Sequence, residues 1–267
     1  MVDSFRAVCS DFYINLKLGL KLELPTGPGA GRDTVLSFFE RLRRSHPAMT
    51  GFRRYEGEME LDTPQDSPGP QQWAAVKRTS IRAGSVNPDT IEKALALHRE
   101  ILELAPFYLS ISPLDVEMIE VLFGFDLHLP DQAVPGIDST TEPTSAQSPD
   151  AVVAEALFAD SPLAPLLRIE GTTPSDCQPL FGVTIDGDPH TEAYFEVKTR
   201  PTRAGQSGEQ AEPISVYVTA RHTGPCASLD ELPGRCTALA HRAAGLCESV
   251  AIPSLIVPIR DAMLSGS

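Results

Sequence analysis

The amino-acid sequence predicts an α+β fold in which helices cover one face of a curved antiparallel sheet. Three observations favour this class: segments that alternate apolar and polar residues, helical stripes between them, and an order of segments that occurs twice. Strict alternation is typical of strands with one buried face, and such strands form antiparallel sheets. The sequence therefore predicts an internally duplicated β-α-β-β-(β)-α module.

The elements of the first half begin with a strand over residues 12–24, where every second residue is apolar. The elements that follow it are a helix, two strands and a second helix, over residues 33–45, 52–61, 72–82 and 88–104. Asn87 is a plausible cap for the second helix, since Pro88 would occupy its first position.

The second half is predicted to follow the same plan. Its elements are a strand over residues 119–129, a helix over 151–159, strands over 180–185 and 191–199, an extra strand over 213–221, and helices over 230–249 and 254–264. The sequence DGDPH between the paired strands is a hairpin signal.

Three sequence matches support the duplication, and they occur in the same order in both halves. The matched pairs are LGLKLELP (18–25) with FGFDLHLP (123–130), AVKRTSIRAG (75–84) with EVKTRPTRAG (196–205), and ALHR (96–99) with ALAHR (238–242). We place the repeats at residues 1–112 and 113–267, with a Ser/Thr/Pro-rich insertion at 131–150 and the extra strand in the second copy. The repeats form either one continuous pseudo-twofold domain or two docked domains.

Two glycines interrupt the long alternating strands on the side that faces away from the core. Glycine inside a strand often marks a sharp bend or a close approach of another chain segment. Gly19 and Gly124 therefore predict a bend or a close contact at corresponding places in the two halves, unless the strands are flexed for packing alone.

Composition restricts the classes of partner. The chain has 267 residues and a net charge of −14. That charge disfavours nucleic acid, because binding to phosphates rests on Lys and Arg. No apolar run reaches the roughly 18 residues of a membrane span, and the N-terminus does not resemble a signal peptide. Five scattered cysteines do not suggest a disulfide framework. We expect a cytoplasmic protein without nucleic-acid or membrane partners.

Catalytic and metal motifs do not stand out. Cys236, His241 and Cys247 share one predicted helix, but eleven residues of helix separate the two cysteines by about 16 Å. The glycine-rich loop at residues 25–33 lacks the Gly-Lys-Ser/Thr ending of a phosphate-binding loop. We predict neither a metal nor a cofactor. His98 and His241 recur at matched places, where packed or surface histidines are commoner than a symmetric site.

The clearest candidate for a functional site is a set of aromatic and basic residues on the face of the sheet that points away from the core. Such residues are typical of recognition surfaces and subunit interfaces, although aromatic residues also favour strands in general. The candidate binding residues are Tyr13, Trp73, Lys77, Tyr194, Lys198, Tyr217 and Arg221.

The sequence thus favours a non-enzymatic binding or assembly protein. It would use this face, or the seam between the repeats, for a protein partner, its own copy or a small acidic ligand. The alternative is a hydrolase or isomerase whose site lies between the halves and uses a histidine, such as His128 or His241, with a carboxylate, such as that of Asp126.

Overall fold

The structure is a computed structural model that describes residues 2–26, 32–128, 148–199 and 213–265. Nine strands lie within these ranges: β1 (Asp11–Leu20), β2 (Gly51–Tyr55), β3 (Glu58–Asp62), β4 (Gln71–Lys77), β5 (Ser80–Val86), β6 (Val116–Leu127), β7 (Leu180–Thr184), β8 (Thr191–Lys198) and β9 (Ile214–His222). The α-helices in the same ranges are α1 (Val2–Arg6), α2 (Arg32–Ser45), α3 (Ile91–Leu109), α4 (Pro149–Phe158), α5 (Ala164–Leu167), α6 (Leu232–Leu246) and α7 (Val257–Ser265).

All nine strands form one continuous antiparallel sheet in the order β2-β3-β4-β5-β1-β6-β9-β8-β7. The predicted α+β class with an antiparallel sheet is confirmed. The first strands of the two halves, β1 and β6, pair with each other in the middle of the sheet. Outward from this seam, β5 and β4 follow on one side, and β9 and β8 follow on the other. Duplication of the sequence remains a prediction.

The core lies between the sheet and the helices. The alternating apolar residues of the two long predicted strands, 12–24 and 119–129, are buried, except that Leu22 is only partly buried and Leu129 lies outside the described residues. Four phenylalanines from α1, β1 and β6 pack together with ring centroids 5.2–6.3 Å apart: Phe5, Phe12, Phe123 and Phe125. Over the middle of the sheet, α3 packs against β5 and β1, and α6 packs against β6 and β9.

Two segments that the sequence presents as single strands are hairpins. Residues 52–61 contain β2 and β3, which are joined at Glu56 and Gly57, and residues 72–82 span β4 and part of β5. Gly57 has a φ of 72°, a left-handed conformation that glycine adopts without strain. The turn was missed because β2 is an edge strand whose residues are mostly exposed, so it shows no apolar alternation.

The strand predicted over 213–221 is present as β9, but it is not an addition to the second half. It lies between β6 and β8, as β5 lies between β1 and β4. Within the described residues the first half has five strands and the second has four. The insertion predicted at residues 131–150 lies almost wholly outside the described residues.

The ends of two elements differ from their predictions. β1 ends at Leu20 rather than residue 24, with a register shift against β6 at Gly19 and Leu20. Helix α3 begins at Ile91, and Thr90 caps it by accepting a hydrogen bond from the Lys93 N–H. Asn87 is instead in a left-handed turn, where its side chain accepts from the Phe12 N–H and donates to Asp11.

The two helices predicted at the C-terminus are continuous. A π-helical segment, Cys247–Ile256, joins α6 to α7 and contains Pro253. By length and composition alone, the stretch Leu229–Ser265 could cross a membrane. This is weak evidence, because helices of a protein core pass the same test. Several of its apolar residues, including Leu232 and Leu239, are buried in the core.

Candidate functional site

The face of the sheet opposite the helices is defined here as the open face; it contains Tyr13, Asn15 and Lys17 of β1 and the residues in register with them. The seven candidate residues named from the sequence all lie on this face. Tyr13 is in register with Gly124, which is in register with Tyr217. Trp73 and Lys77 lie on β4, whereas Tyr194 and Lys198 lie on β8. Arg221 lies on β9 opposite Glu120.

The seam between the halves belongs to the same surface. Residues on the open side of β1 and β6 are direct neighbours, such as Asn15 with Leu122 and Lys17 with Glu120. The sheet face and the seam, which the sequence offered as two places for a site, are therefore one continuous surface.

Glycines lie beneath three of the four aromatic residues. The Tyr13 ring occupies the space that a Cβ on Gly124 would fill, and the Trp73 indole does the same at Gly84. The Tyr194 ring lies over Gly182, 2.9 Å from an ideal Cβ position. Because glycine has no side chain, each ring packs onto the backbone of the neighbouring strand. At Gly124 the close contact is with the Tyr13 ring, and at Gly19 an ideal Cβ would lie 2.8 Å from Cγ of Met118; a bend of the strands at these glycines stays a prediction.

Two phenol groups on the open face, those of Tyr13 and Tyr194, donate hydrogen bonds to carboxylates. Asp126 accepts hydrogen bonds from Tyr13 Oη at 3.2 Å and from Ser215 Oγ at 2.6 Å. Burial, reinforced by the Asp126 charge, raises the pKa of Tyr13. A hydrogen bond of 2.6 Å to Glu192 raises the pKa of Tyr194. Both phenols therefore remain protonated and act as donors near neutral pH.

The cations named from the sequence are all paired with carboxylates. Lys77 lies 2.7 Å from Glu58, and Lys198 lies 3.2 Å from Glu196 and over the Tyr217 ring. Arg221 lies over the Tyr194 ring.

Arg221 contacts one oxygen of Glu120 through two nitrogens, at 2.6 Å and 2.8 Å. The open face is thus a surface of mixed charge rather than a basic one, which corrects the sequence interpretation. Successive side chains of a strand point to opposite faces of the sheet. The same alternation that places the cations on the open face therefore places these glutamates there too.

The residues of the enzyme alternative are not brought together. Asp126 lies on the open face and is engaged by Tyr13 and Ser215. His128 follows β6, with its ring 3.9 Å from Asp11. His241 is an exposed residue of α6, in the helical layer. Cys236 and Cys247 are buried, so His241 does not converge with them either.

Two other histidine–carboxylate clusters could not be found from spacing, because their members are distant in sequence. His46 bridges Gln72 at 3.3 Å and Glu100 at 3.0 Å, and so links the end of α2 to β4 and α3. In the second half of the sheet, His222 of β9 contacts Thr191 at 2.8 Å and lies 3.7 Å from Asp188.

The matched histidines of the two halves are in different environments. His98 is fully buried in α3, and neither ring nitrogen has a hydrogen-bond partner among the described residues. Burial lowers the pKa of His98 to about 3. His241 is exposed. A symmetric site built from the two residues is therefore not present.

The fold and the surface define a class: an α+β protein with one open, mixed-charge, aromatic face on a nine-stranded antiparallel sheet. No protein-family model matches the chain, and no curated protein matches it.

Proposed function

We propose that this chain is a non-enzymatic binding protein that docks a partner protein on its open face in a cytoplasmic setting. The observation that carries the proposal is the row of half-buried aromatic residues that extends on both sides of the seam, from Trp73 through Tyr13 and Tyr217 to Tyr194.

The aromatic residues have the properties of interface anchors. Tyr and Trp combine a large apolar area with few rotatable bonds, and they dominate the binding energy of many interfaces. On this face the rings are further restrained, because glycines lie beneath Tyr13, Trp73 and Tyr194. A partner would therefore order few side chains on binding, which reduces the entropic cost of association.

The shape of the surface favours a protein over a small ligand. Small ligands generally occupy concave sites that cover most of their area. Among the described residues, cavities of about 360, 320 and 400 Å³ lie elsewhere: beside Arg43 on α2, between α4 and the loop before Cys177, and beside Arg6. The open face instead offers exposed parts of rings and paired charges, which matches the mixed composition of protein interfaces.

Site-specific photo-crosslinking in the native cells tests the proposal. A photoreactive amino acid replaces Leu122, which is half-buried at the centre of the open face, or Glu103, which is exposed on α3. We expect Leu122 to give a crosslink to one defined protein, and Glu103 not to give it. The double substitution Trp73→Ala with Tyr194→Ala should abolish that crosslink while the folded circular-dichroism spectrum is retained.

Three outcomes would count against the proposal. Equal crosslinking from Leu122 and Glu103, or a crosslink that survives the double substitution, would show that the open face is not the docking surface. A product at twice the chain mass of 28.8 kDa would identify a second copy as the occupant and replace the proposed partner by self-assembly.

A further inference from the structure

Two cations at the centre of the open face lack the partners that the other cations have. Arg53 pairs with Asp62 at 2.8 Å, and the cations described above pair with Glu58, Glu196 and Glu120. Lys17 and Arg82 have neither an ion pair nor a side-chain hydrogen bond within the part of the chain that the structure describes. Both side chains are half-buried.

The sheet register places these two like charges side by side. Lys17 of β1 is directly opposite Arg82 of β5. Like charges that face each other across two strands destabilise a sheet. In addition, Nε of Arg82 is shielded from solvent and has no hydrogen-bond partner among the described residues. A buried donor without a partner carries a free-energy cost.

The side chains of Trp73 and Asn15 pack over Gly84, next to Arg82 on the open face. An ideal Cβ on Gly84 would lie 2.5 Å from Nε1 and 2.7 Å from Cε2 of Trp73, and it would also overlap the Asn15 side chain. Oδ1 of Asn15 is shielded from solvent and has no partner among the described residues. The next residue on β5 towards the turn is the small Ala83, whose side chain points to the core, so Arg82 and Gly84 are consecutive residues of the open face.

The nearest carboxylates do not neutralise the pair. Glu120 is opposite Lys17 on the other side, but it is bonded to Arg221 through two nitrogens. Glu60 is in register with Ala75, which separates it from Arg82 by a whole strand. Lys17 and Arg82 are thus two neighbouring cations that form no ion pair among the described residues, within a chain whose net charge is −14.

We infer that Lys17 and Arg82, with Trp73 beside them, form a subsite for a carboxylate group of an acidic segment of the partner protein. This inference rests on the proposed function, because the open face must be the docking surface. The guanidinium fork of Arg82 matches the geometry of a carboxylate, and the Lys17 ammonium adds a second charge. The chain next to that carboxylate would lie against the indole of Trp73.

Trp73 makes the subsite directly observable, because it is the only tryptophan in the chain. The probe is a hexaglutamate peptide, titrated at pH 7 and about 50 mM salt so that screening is modest. Hexaglutamine and inorganic phosphate are titrated in parallel. We expect hexaglutamate to change the Trp73 fluorescence saturably, and hexaglutamine to leave it unchanged.

Three variants test whether Lys17 and Arg82 bind hexaglutamate. Arg82→Gln and Lys17→Gln should each weaken hexaglutamate binding by roughly tenfold, as expected for the loss of a hydrogen bond to a charged group. Arg78→Gln removes the same charge from the turn between β4 and β5, and it should bind as the wild type does. Lys17→Gln keeps the test valid if Arg82→Gln fails to fold.

Other results of these titrations would contradict either the subsite or the chemistry of its ligand. Unchanged binding in both Arg82→Gln and Lys17→Gln would eliminate the subsite. Phosphate that shifts the fluorescence at lower concentrations than hexaglutamate would replace the acidic segment by a phosphorylated ligand. The crosslink from Leu122 separates the two proposals: if it forms but hexaglutamate does not bind, the subsite is wrong and the docking face stands. If hexaglutamate binds but no crosslink forms, the docking proposal is wrong.

Discussion

The Tyr13 ring occupies the space above Gly124 on the neighbouring strand, so that the aromatic ring stands where a second side chain would otherwise be. The two residues are directly in register across the seam. Tyr13 also donates to Asp126, two residues further along β6, and its ring meets that of Tyr217 edge-on at 6.3 Å. One tyrosine therefore joins β1 to both β6 and β9 on the open face.

The substitution Gly124→Ala should destabilise the protein, although alanine is ordinarily the better residue in a strand. The added Cβ would overlap the Tyr13 ring, and relief requires the ring to leave its position. We expect the free energy of unfolding in urea to fall by about 1–3 kcal/mol, as for an overpacked core site.

Two further variants control this measurement. Gly245 of α6 has no atom within 4 Å of an added Cβ, so Gly245→Ala should instead stabilise the protein by about 0.5–1 kcal/mol. In a Tyr13→Ala background, Gly124→Ala should lose most of its effect, since the overlapping ring is gone. Strict additivity of the two substitutions would contradict the contact.

His98 predicts a stability that declines in mild acid. Burial lowers its pKa to about 3 in the folded state, whereas an unfolded chain has a histidine pKa of about 6.5. Between these values the unfolded state binds a proton that the folded state excludes, so the free energy of unfolding falls as the pH drops below 6.5.

Urea titrations at several pH values between 7 and 4 test this expectation. His98→Leu should be at least as stable as the wild type at pH 7, because two unpartnered nitrogens are removed, and it should lose less stability towards pH 4. His241→Gln, at the exposed matched position, should follow the wild type. Parallel pH profiles for wild type and His98→Leu would rule out the buried neutral imidazole.

The ion pair between Arg221 and Glu120 should contribute measurably to stability. Glu120 is only 12% exposed, so removal of Arg221 leaves a shielded carboxylate without its cation. We expect Arg221→Met to lower the free energy of unfolding by about 1–3 kcal/mol in urea. The pair of Arg78 with Glu23 has the same shortest distance, 2.6 Å, but is well exposed, and Arg78→Gln should not change stability detectably. Equal effects of the two substitutions would contradict the role of burial.

Thiol reactivity should separate the five cysteines, all of which are free. Burial raises the pKa of Cys236 to about 12 and raises that of Cys247 well above its usual value. Because the thiolate is the reactive form, both should resist alkylation in the folded protein. We expect mass spectrometry to show Cys177 and Cys226 alkylated first, and all five after denaturation. Early modification of Cys236 or Cys247 would contradict their burial.

Periodicity was sufficient for the α+β class and for the side of the sheet on which each candidate residue lies. The clean alternation of β1 and β6 identified both faces, because burial of one face is what produces such a pattern. It failed at β2, because an exposed edge strand has no buried face and therefore shows no alternation of apolar and polar residues. It also failed at the C-terminus, where two separate helices were predicted and a π-helical segment makes them continuous.

The pairing of charges on the open face could not be predicted from the sequence, for a different reason. Glu120 and Arg221 are 101 positions apart, and only the register of β6 with β9 makes them neighbours. Strand parity says which side a residue occupies, but not which residue it meets. The isolation of Lys17 and Arg82 follows from register in the same way.

The central position of β1 has a consequence for how the chain is made. Tyr13 and its partner Asp126 are 113 positions apart, so β1 leaves the ribosome long before β6 is synthesised. During that interval one side of the most regularly apolar strand is an unpaired edge, which other nascent chains could extend. Translation speed and chaperone access over residues 21–115 should therefore affect the yield of native protein more than the same factors acting after β6 has emerged.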